Sequence, residues 1–91
     1  MKKVITFALQ KGGVGKTSIS VSVAVALAQS NYRVLLIDSD PQGNATTWLD
    51  IQEMKLELAD VLMKKCSAKE AILPTKVENL SIIPTAALGS D

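Results

Sequence analysis

Seven residues near the amino terminus gather most of the groups suited to chemistry: Lys11, Gly12, Gly13, Val14, Gly15, Lys16 and Thr17. Three of the five glycines of the chain fall here, with two lysines and a hydroxyl. Glycines let backbone N–H groups turn toward a ligand and come close to it. A helix beginning at the end of such a loop adds its unpaired N–H groups and its positive end. Lys16 then reaches β- and γ-phosphate oxygens, and Thr17 offers its hydroxyl to Mg²⁺. The competing role is a plain glycine turn between a strand and a helix, which would need neither Lys16 nor the hydroxyl after it.

A second constellation lies further on, Asp38 and Asp40 ahead of Pro41 and Gly43. In an extended strand two such side chains face opposite ways, but a turn at Pro41 re-aims Asp40. The arrangement suits Asp38 to the surroundings of a magnesium ion and Asp40 to orienting or activating a water that attacks the γ-phosphate. The competing role is a carboxylate that caps a turn or a helix, common for Asp before Pro. The residues alone leave both open.

The glycine loop departs from the ordinary Walker A form, G-x-x-x-x-G-K-[ST]. Anchored on Gly15-Lys16-Thr17, that form needs glycine at position 10, where this chain has Gln10 followed by Lys11. A second lysine at the loop adds positive charge where charge develops on the leaving phosphates, a task worth roughly 10³–10⁵ in rate when an arginine finger performs it. A solvated surface lysine is the alternative for Lys11.

These groups need elements to hold them. Val4 to Leu9 is a nearly continuous apolar run, the pattern of a strand covered on both faces at the centre of a parallel sheet. Thr17 to Gln29 is ambiguous: Ile19, Val21, Val23 and Val25 alternate with small residues as in a strand. Helical spacing also fits, with Ile19, Val23, Ala26 and Leu27 on one face. A parallel connection between buried strands needs a crossover, and a phosphate loop needs a helix N-terminus, so the segment is assigned to helix. Ser30-Asn31 stops it, and Arg33 to Ile37 is a second buried strand, giving a βαβ unit with a right-handed crossover. Asp38 and Asp40 thus emerge at the carboxyl end of a strand, where open α/β sheets bind ligands.

Downstream, Ala45 to Asp50 reads as a short helical turn with Trp48 and Leu49 inward. Leu58, Val61 and Leu62 form a helical stripe, with Lys55, Asp60, Lys64 and Lys65 solvated; Lys64 and Lys65 read as a wet helix face rather than a DNA contact. Ser67 and Glu70 have capping-box spacing for a short helix through Ile72, ended by Pro74. Leu80 to Ile83 is a third strand stopped by Pro84, and Cys66 a buried small hydrophobe.

The balance of ten basic and nine acidic residues, net +1, gives no sign of affinity for nucleic acid or membrane. A single cysteine excludes an internal disulfide, and the absence of histidine argues against a Cys/His metal site. The apolar run after Lys2-Lys3 is too short for a signal sequence, and none approaches the ~20 residues of a membrane span. The chain reads as cytoplasmic, with no domain boundary in its 91 residues.

The loop Lys11 to Thr17, together with Asp38-Ser39-Asp40-Pro41-Gln42-Gly43-Asn44-Ala45-Thr46, resembles the ParA/Soj family of deviant Walker ATPases. Leu58 to Leu62 and Val77 to Pro84 also resemble that family's corresponding stretches, so the likeness covers nearly the whole chain. The loop alone admits relatives such as MinD, the nitrogenase iron protein and bacterial tyrosine kinases. The Asp40-to-Thr46 tail favours the partition branch.

The resemblance implies an α/β fold, a P-loop NTPase-type parallel sheet with flanking helices, of which residues 1–91 form the N-terminal portion of a single domain. It implies ATP and Mg²⁺ as ligands, with Gly12, Gly13, Val14, Gly15 and Ser18 lining the phosphates. Lys11 would be the signature lysine that reaches the partner's nucleotide in an ATP-dependent homodimer. Lys16 would be the phosphate lysine, Thr17 the magnesium ligand, Asp40 the catalytic switch carboxylate and Asp38 a residue supporting magnesium or water. Family members bind DNA non-specifically and hydrolyse ATP when stimulated by a ParB-type partner, in plasmid or chromosome partition. They are longer than this chain, and their Walker B aspartate, adenine contacts and basic DNA-binding surface lie largely beyond residue 91. Two alternatives stand beside this: a non-catalytic phosphate-binding or dimerisation remnant, and a MinD-like division-site regulator. A half-sheet with bare edges is expected to self-associate or to be marginally stable.

Overall fold

The computed structural model describes residues 2–8 and 15–86, the side chains of 15–18 excepted. The first strand, β1 (Lys3–Ala8), is followed by the long helix α1 (Gly15–Gln29) and the second strand β2 (Arg33–Asp38). Three short helices come next, α2 (Asn44–Trp48), α3 (Leu58–Leu62) and α4 (Ala68–Ala71), then strands β3 (Leu73–Pro74) and β4 (Leu80–Ile83). The sheet order is β1-β2-β4-β3. β1, β2 and β4 run parallel, and only β3 is antiparallel.

The core lies between α1 and one sheet face. Alternation along β2 sends Val34, Leu36 and Asp38 to that face, and the register sets Val34 beside Leu80 and Leu36 beside Ile82. α1 meets them with Val21, Ala24 and Ala28, while Ala45 and Leu49 of the α2 region close the same cluster. Small residues at 24 and 28 bring the helix close to the strands. This corrects the expected helix face: Ile19 and Val23 are 65% and 48% exposed. Apolar residues surround the helix, so spacing alone could not choose the face, and the tighter fit of alanine against the sheet decided it.

Expectation and structure part at several other places. Among the described residues the β1 run ends at Ala8, and β1 stands at the edge of the four-stranded sheet. Its second face stays open, with Ile5 63% and Phe7 52% exposed. Trp48 faces outward, 55% exposed, because α2 turns Ala45, Thr46 and Leu49 inward instead. Leu62 is 72% exposed, and Cys66 is only half-buried. Asp60 is not simply solvated: its Oδ2 accepts the Glu57 N–H at 2.9 Å, completing a capping box at the start of α3. The Ser67–Glu70 capping box forms as expected. Pro74 does more than end α4, since Leu73–Pro74 pair with β4 as an edge strand, the place in a sheet that tolerates proline.

The ends of α1, α2 and α3 share one device. Asn31 adopts φ 73°, and the Tyr32 and Asn31 N–H groups donate back to the Leu27 and Ala28 carbonyls. Asp50 and Lys64 repeat the pattern after α2 and α3. This left-handed closure satisfies carbonyls that a helix end otherwise leaves bare. At the far end of α1 the Asn79 side-chain amide donates to the Ala28 carbonyl at 3.3 Å, tying the helix to the start of β4.

Candidate functional site

The parallel register of β1 and β2 fixes the site. Ala8, the last residue of β1, pairs with Asp38, the last of β2, and the Ser39 N–H donates to the Ala8 carbonyl at 2.9 Å. The chain therefore leaves β1 toward the start of α1 at the same sheet edge where the two aspartates emerge. Backbone helix begins at Gly15, so residues 15–18 form the first turn of α1, the end that favours anions.

Asp38 and Asp40 are both 0% exposed. Asp38 Oδ1 accepts the Asp40 N–H at 3.1 Å, and its Oδ2 accepts the Thr46 N–H at 2.9 Å and the Thr46 hydroxyl at 2.6 Å. Burial pushes the Asp38 carboxyl above its ordinary 3.8; the Thr46 hydroxyl and N–H and the Asp40 N–H pull it back, and the Asp40 charge pushes it up again. Asp40 Oδ1 accepts the Gln42 N–H at 2.9 Å, a turn bond, and its Oδ2 accepts the Asn44 N–H at 3.3 Å at the start of α2. Between them Gly43 sits at φ 64° and is buried, a left-handed position that a side chain would disfavour. The turn-capping role raised for these aspartates is thus present in both.

Of the expected site residues, Lys11, Gly12, Gly13 and Val14 lie outside the described residues. Gly15, Lys16, Thr17 and Ser18 are described as helix backbone alone. Asp38 and Asp40 come together at the sheet edge. Thr46 entered the sequence reading only as the end of the Asp38-to-Thr46 segment, with no role of its own, and Thr85 escaped it. The Thr46 hydroxyl accepts the Thr85 N–H at 3.0 Å, and the Thr85 hydroxyl donates to the Asp38 carbonyl at 2.6 Å. The one signal for Thr46 was a hydroxyl just inside a short helix after the Asp-Pro turn, and for Thr85 there was none.

The donor set is hard oxygen, the kind magnesium takes. Two buried carboxylates of like charge at one edge form a place that a divalent cation would relieve. Among the described residues, no group of three or more His, Cys, Asp or Glu side chains is placed to hold a metal ion by itself. A magnesium ion here would accordingly draw its other ligands from phosphates, water and hydroxyls, its usual habit.

The family described as AAA domain matches residues 2–88. The sporulation initiation inhibitor protein Soj of Bacillus subtilis (strain 168) is 46% identical over 86 residues, covering 92% of this chain and 34% of Soj. The chromosome partitioning protein ParA of Caulobacter vibrioides is 44% identical over 87 residues, covering 93% of this chain and 33% of ParA. The solved septum site-determining protein MinD of Pyrococcus horikoshii OT3, complexed with Mg-ADP, superposes with a TM-score of 0.80 at 33% identity. That likeness covers 96% of this chain and 36% of MinD. The chain thus spans about a third of the length of the curated relatives it matches. With a family match over almost every residue and these relatives beside it, the chain belongs to the AAA-domain family and, within it, to the ParA/Soj deviant Walker A ATPases, whose N-terminal portion it matches.

Proposed function

We propose that the chain is the nucleotide-binding part of a ParA-type switch that binds and hydrolyses ATP with Mg²⁺, one portion of a single P-loop ATPase domain. The observation that supports this is the pairing of Ala8 with Asp38, which sets the carboxyl end of β1 beside two buried carboxylates at one sheet edge. Lys11, Gly12, Gly13, Val14, Gly15 and Ser18 wrap the phosphates in this reading, and Lys16 pairs with β- and γ-oxygens. Thr17 and Asp38 would hold the magnesium ion, which when bound neutralises charge on the phosphate oxygens. Asp40 orients the attacking water, and Lys11 adds positive charge where it develops on the leaving group.

Partition of a plasmid or chromosome is the role we assign, a reading supported by the 46% and 44% identity of Soj and ParA beside the 33% of the solved Pyrococcus horikoshii MinD. The same reading gives the whole protein an ATP-dependent homodimer, non-specific DNA binding, a ParB-type stimulating partner and a cytoplasmic place. No helix among the described residues is long and apolar enough to cross a membrane.

The test compares this chain with its Lys16→Ala variant by binding of a fluorescent ATP analogue and by steady-state phosphate release. Binding that needs Lys16 supports the phosphate site. Equal phosphate release from both would remove the enzyme reading for these residues and leave a non-catalytic binding module.

A further inference from the structure

The hydrogen bonds around Asp38 do more than satisfy a buried charge. Thr46, 3% exposed, gives Asp38 Oδ2 two donors, its N–H and its hydroxyl. The same hydroxyl oxygen accepts the Thr85 N–H, and the Thr85 hydroxyl closes the circuit onto the Asp38 carbonyl. From Asp38 the constraint passes to Asp40, whose N–H is held by Oδ1. The Asp38–Thr46 contact spans eight residues in sequence, and Asp40 sits within that closed loop. The chain after β4 is braced a second time, because the Ala86 N–H donates to Glu57 Oε1 at 3.4 Å and the Leu58 N–H to the Pro84 carbonyl at 2.8 Å. Strand β2, helix α2 and the exit of β4 thereby meet at two threonine hydroxyls.

We propose that Thr46 and Thr85 are positioning residues of the site: they hold the Asp38 carboxylate and backbone, and through Asp38 they fix the backbone from which the Asp40 side chain is aimed. This rests on the reading of Asp40 as the carboxylate facing the nucleotide. The physical case is the geometry of a hydroxyl. At position 46 one oxygen donates to a carboxylate and accepts a backbone N–H at once, which valine, its near-isostere, cannot do. A buried carboxylate that loses one donor is left with an oxygen short of partners and shifts to find another for it. Oδ1 and Oδ2 are fixed to each other, so a turn that seeks a new partner for Oδ2 draws Oδ1 away from the Asp40 N–H. Serine keeps both halves of the hydroxyl contact and gives up only a methyl group.

The chain and its Thr46→Val, Thr46→Ser and Thr85→Val variants are compared by amide hydrogen exchange in solution. The reference is the Val34 N–H, which donates to the Asn79 carbonyl at 2.8 Å at the opposite end of β2. Loss of a hydrogen bond to a charged group predicts exchange at Asp40 about tenfold faster relative to Val34 in Thr46→Val, and loss of one to a neutral carbonyl about fivefold faster in Thr85→Val. Thr46→Ser retains the parent ratio. A uniform change at Asp40 and Val34, or none, means the hydroxyls serve the fold alone and overturns the proposal. In a second arm, affinity for a fluorescent ATP analogue is measured with Mg²⁺ and with a chelator in its place. Both valine variants are expected to lose several-fold of the magnesium-dependent gain, and the serine variant to keep it. Valine variants with the full gain overturn the proposal. A parent chain that binds no analogue defeats the nucleotide reading instead, and the exchange ratio alone then decides the positioning role.

Discussion

Paired substitutions on α1 test which side of the helix carries the fold. Val21 is 3% exposed and belongs to the core cluster, whereas Ile19 is 65% exposed. Val21→Ala removes two buried carbons at ~0.8 kcal/mol each and leaves a small cavity, a loss of about 2 kcal/mol. The better helix propensity of alanine returns ~0.5 kcal/mol, for a net loss of about 1.5 kcal/mol. Ile19→Ala gives up only the buried third of a side chain worth at most ~3 kcal/mol, about 1 kcal/mol, and recovers ~0.5 kcal/mol from propensity. The expected order is therefore Val21→Ala clearly destabilised and Ile19→Ala within about 0.5 kcal/mol of the parent. Urea unfolding followed by far-ultraviolet circular dichroism suffices, because with a slope of ~1 kcal/mol/M the first variant moves the midpoint by ~1.5 M. A larger loss for Ile19→Ala would mean that α1 presents its other side to the sheet, and the packing described above would fall with it.

Glu70 supplies a pH dependence. The Ser67 N–H and then the Ser67 hydroxyl hold its carboxyl below the ordinary 4.5, so its contribution to stability is present above that value and is lost as pH falls through the lowered one. Carbon-detected titration should find Glu70 below an ordinary glutamate, and Ser67→Ala should return it only part of the way, because the N–H at 67 remains; an unchanged midpoint in the variant would refute this. The open face of β1 predicts association: sedimentation velocity should show the weight-average coefficient rising with concentration, and Phe7→Lys should reduce that rise. A monomer at all concentrations with a cooperative melt would contradict it.

The order of the elements was legible because apolar runs and turn residues agreed. Pro41 and Gly43 end β2 where their chemistry requires, and the aspartates follow from that. The assignment of residues 17–29 to helix came from topology, not from pattern, since Ile19 to Val25 alternates like a strand. Which side of that helix turned inward was hidden, because alanine carries little hydrophobic signal yet fits best where a helix lies close to a sheet. Trp48 misled by its size: a helix of five residues turns few side chains inward, and Leu49 took the place. β3 is too short for a period to show and contains a proline. The Glu57–Asp60 box was missed because an acid stands where the usual signature has serine or threonine. The hydroxyl circuit joins residues 39 positions apart, a distance over which local patterns are silent.

The tether between Asn79 and the Ala28 carbonyl gives α1 a mechanical character. A helix of 15 residues is about 22 Å long, and this one starts at the glycine loop and ends pinned to the root of β4. Were that end to stay fixed, a 1 Å displacement of its first turn would correspond to a swing of about 3°, roughly the angle that 1 Å subtends over that length. The motion then works like a lever about its fulcrum: the alanines that rest on β2 move through a fraction of the arc, while the pin stays still. In that geometry a shift of the first turn would reach the strands beneath as a tilt, in proportion to their distance from the pin.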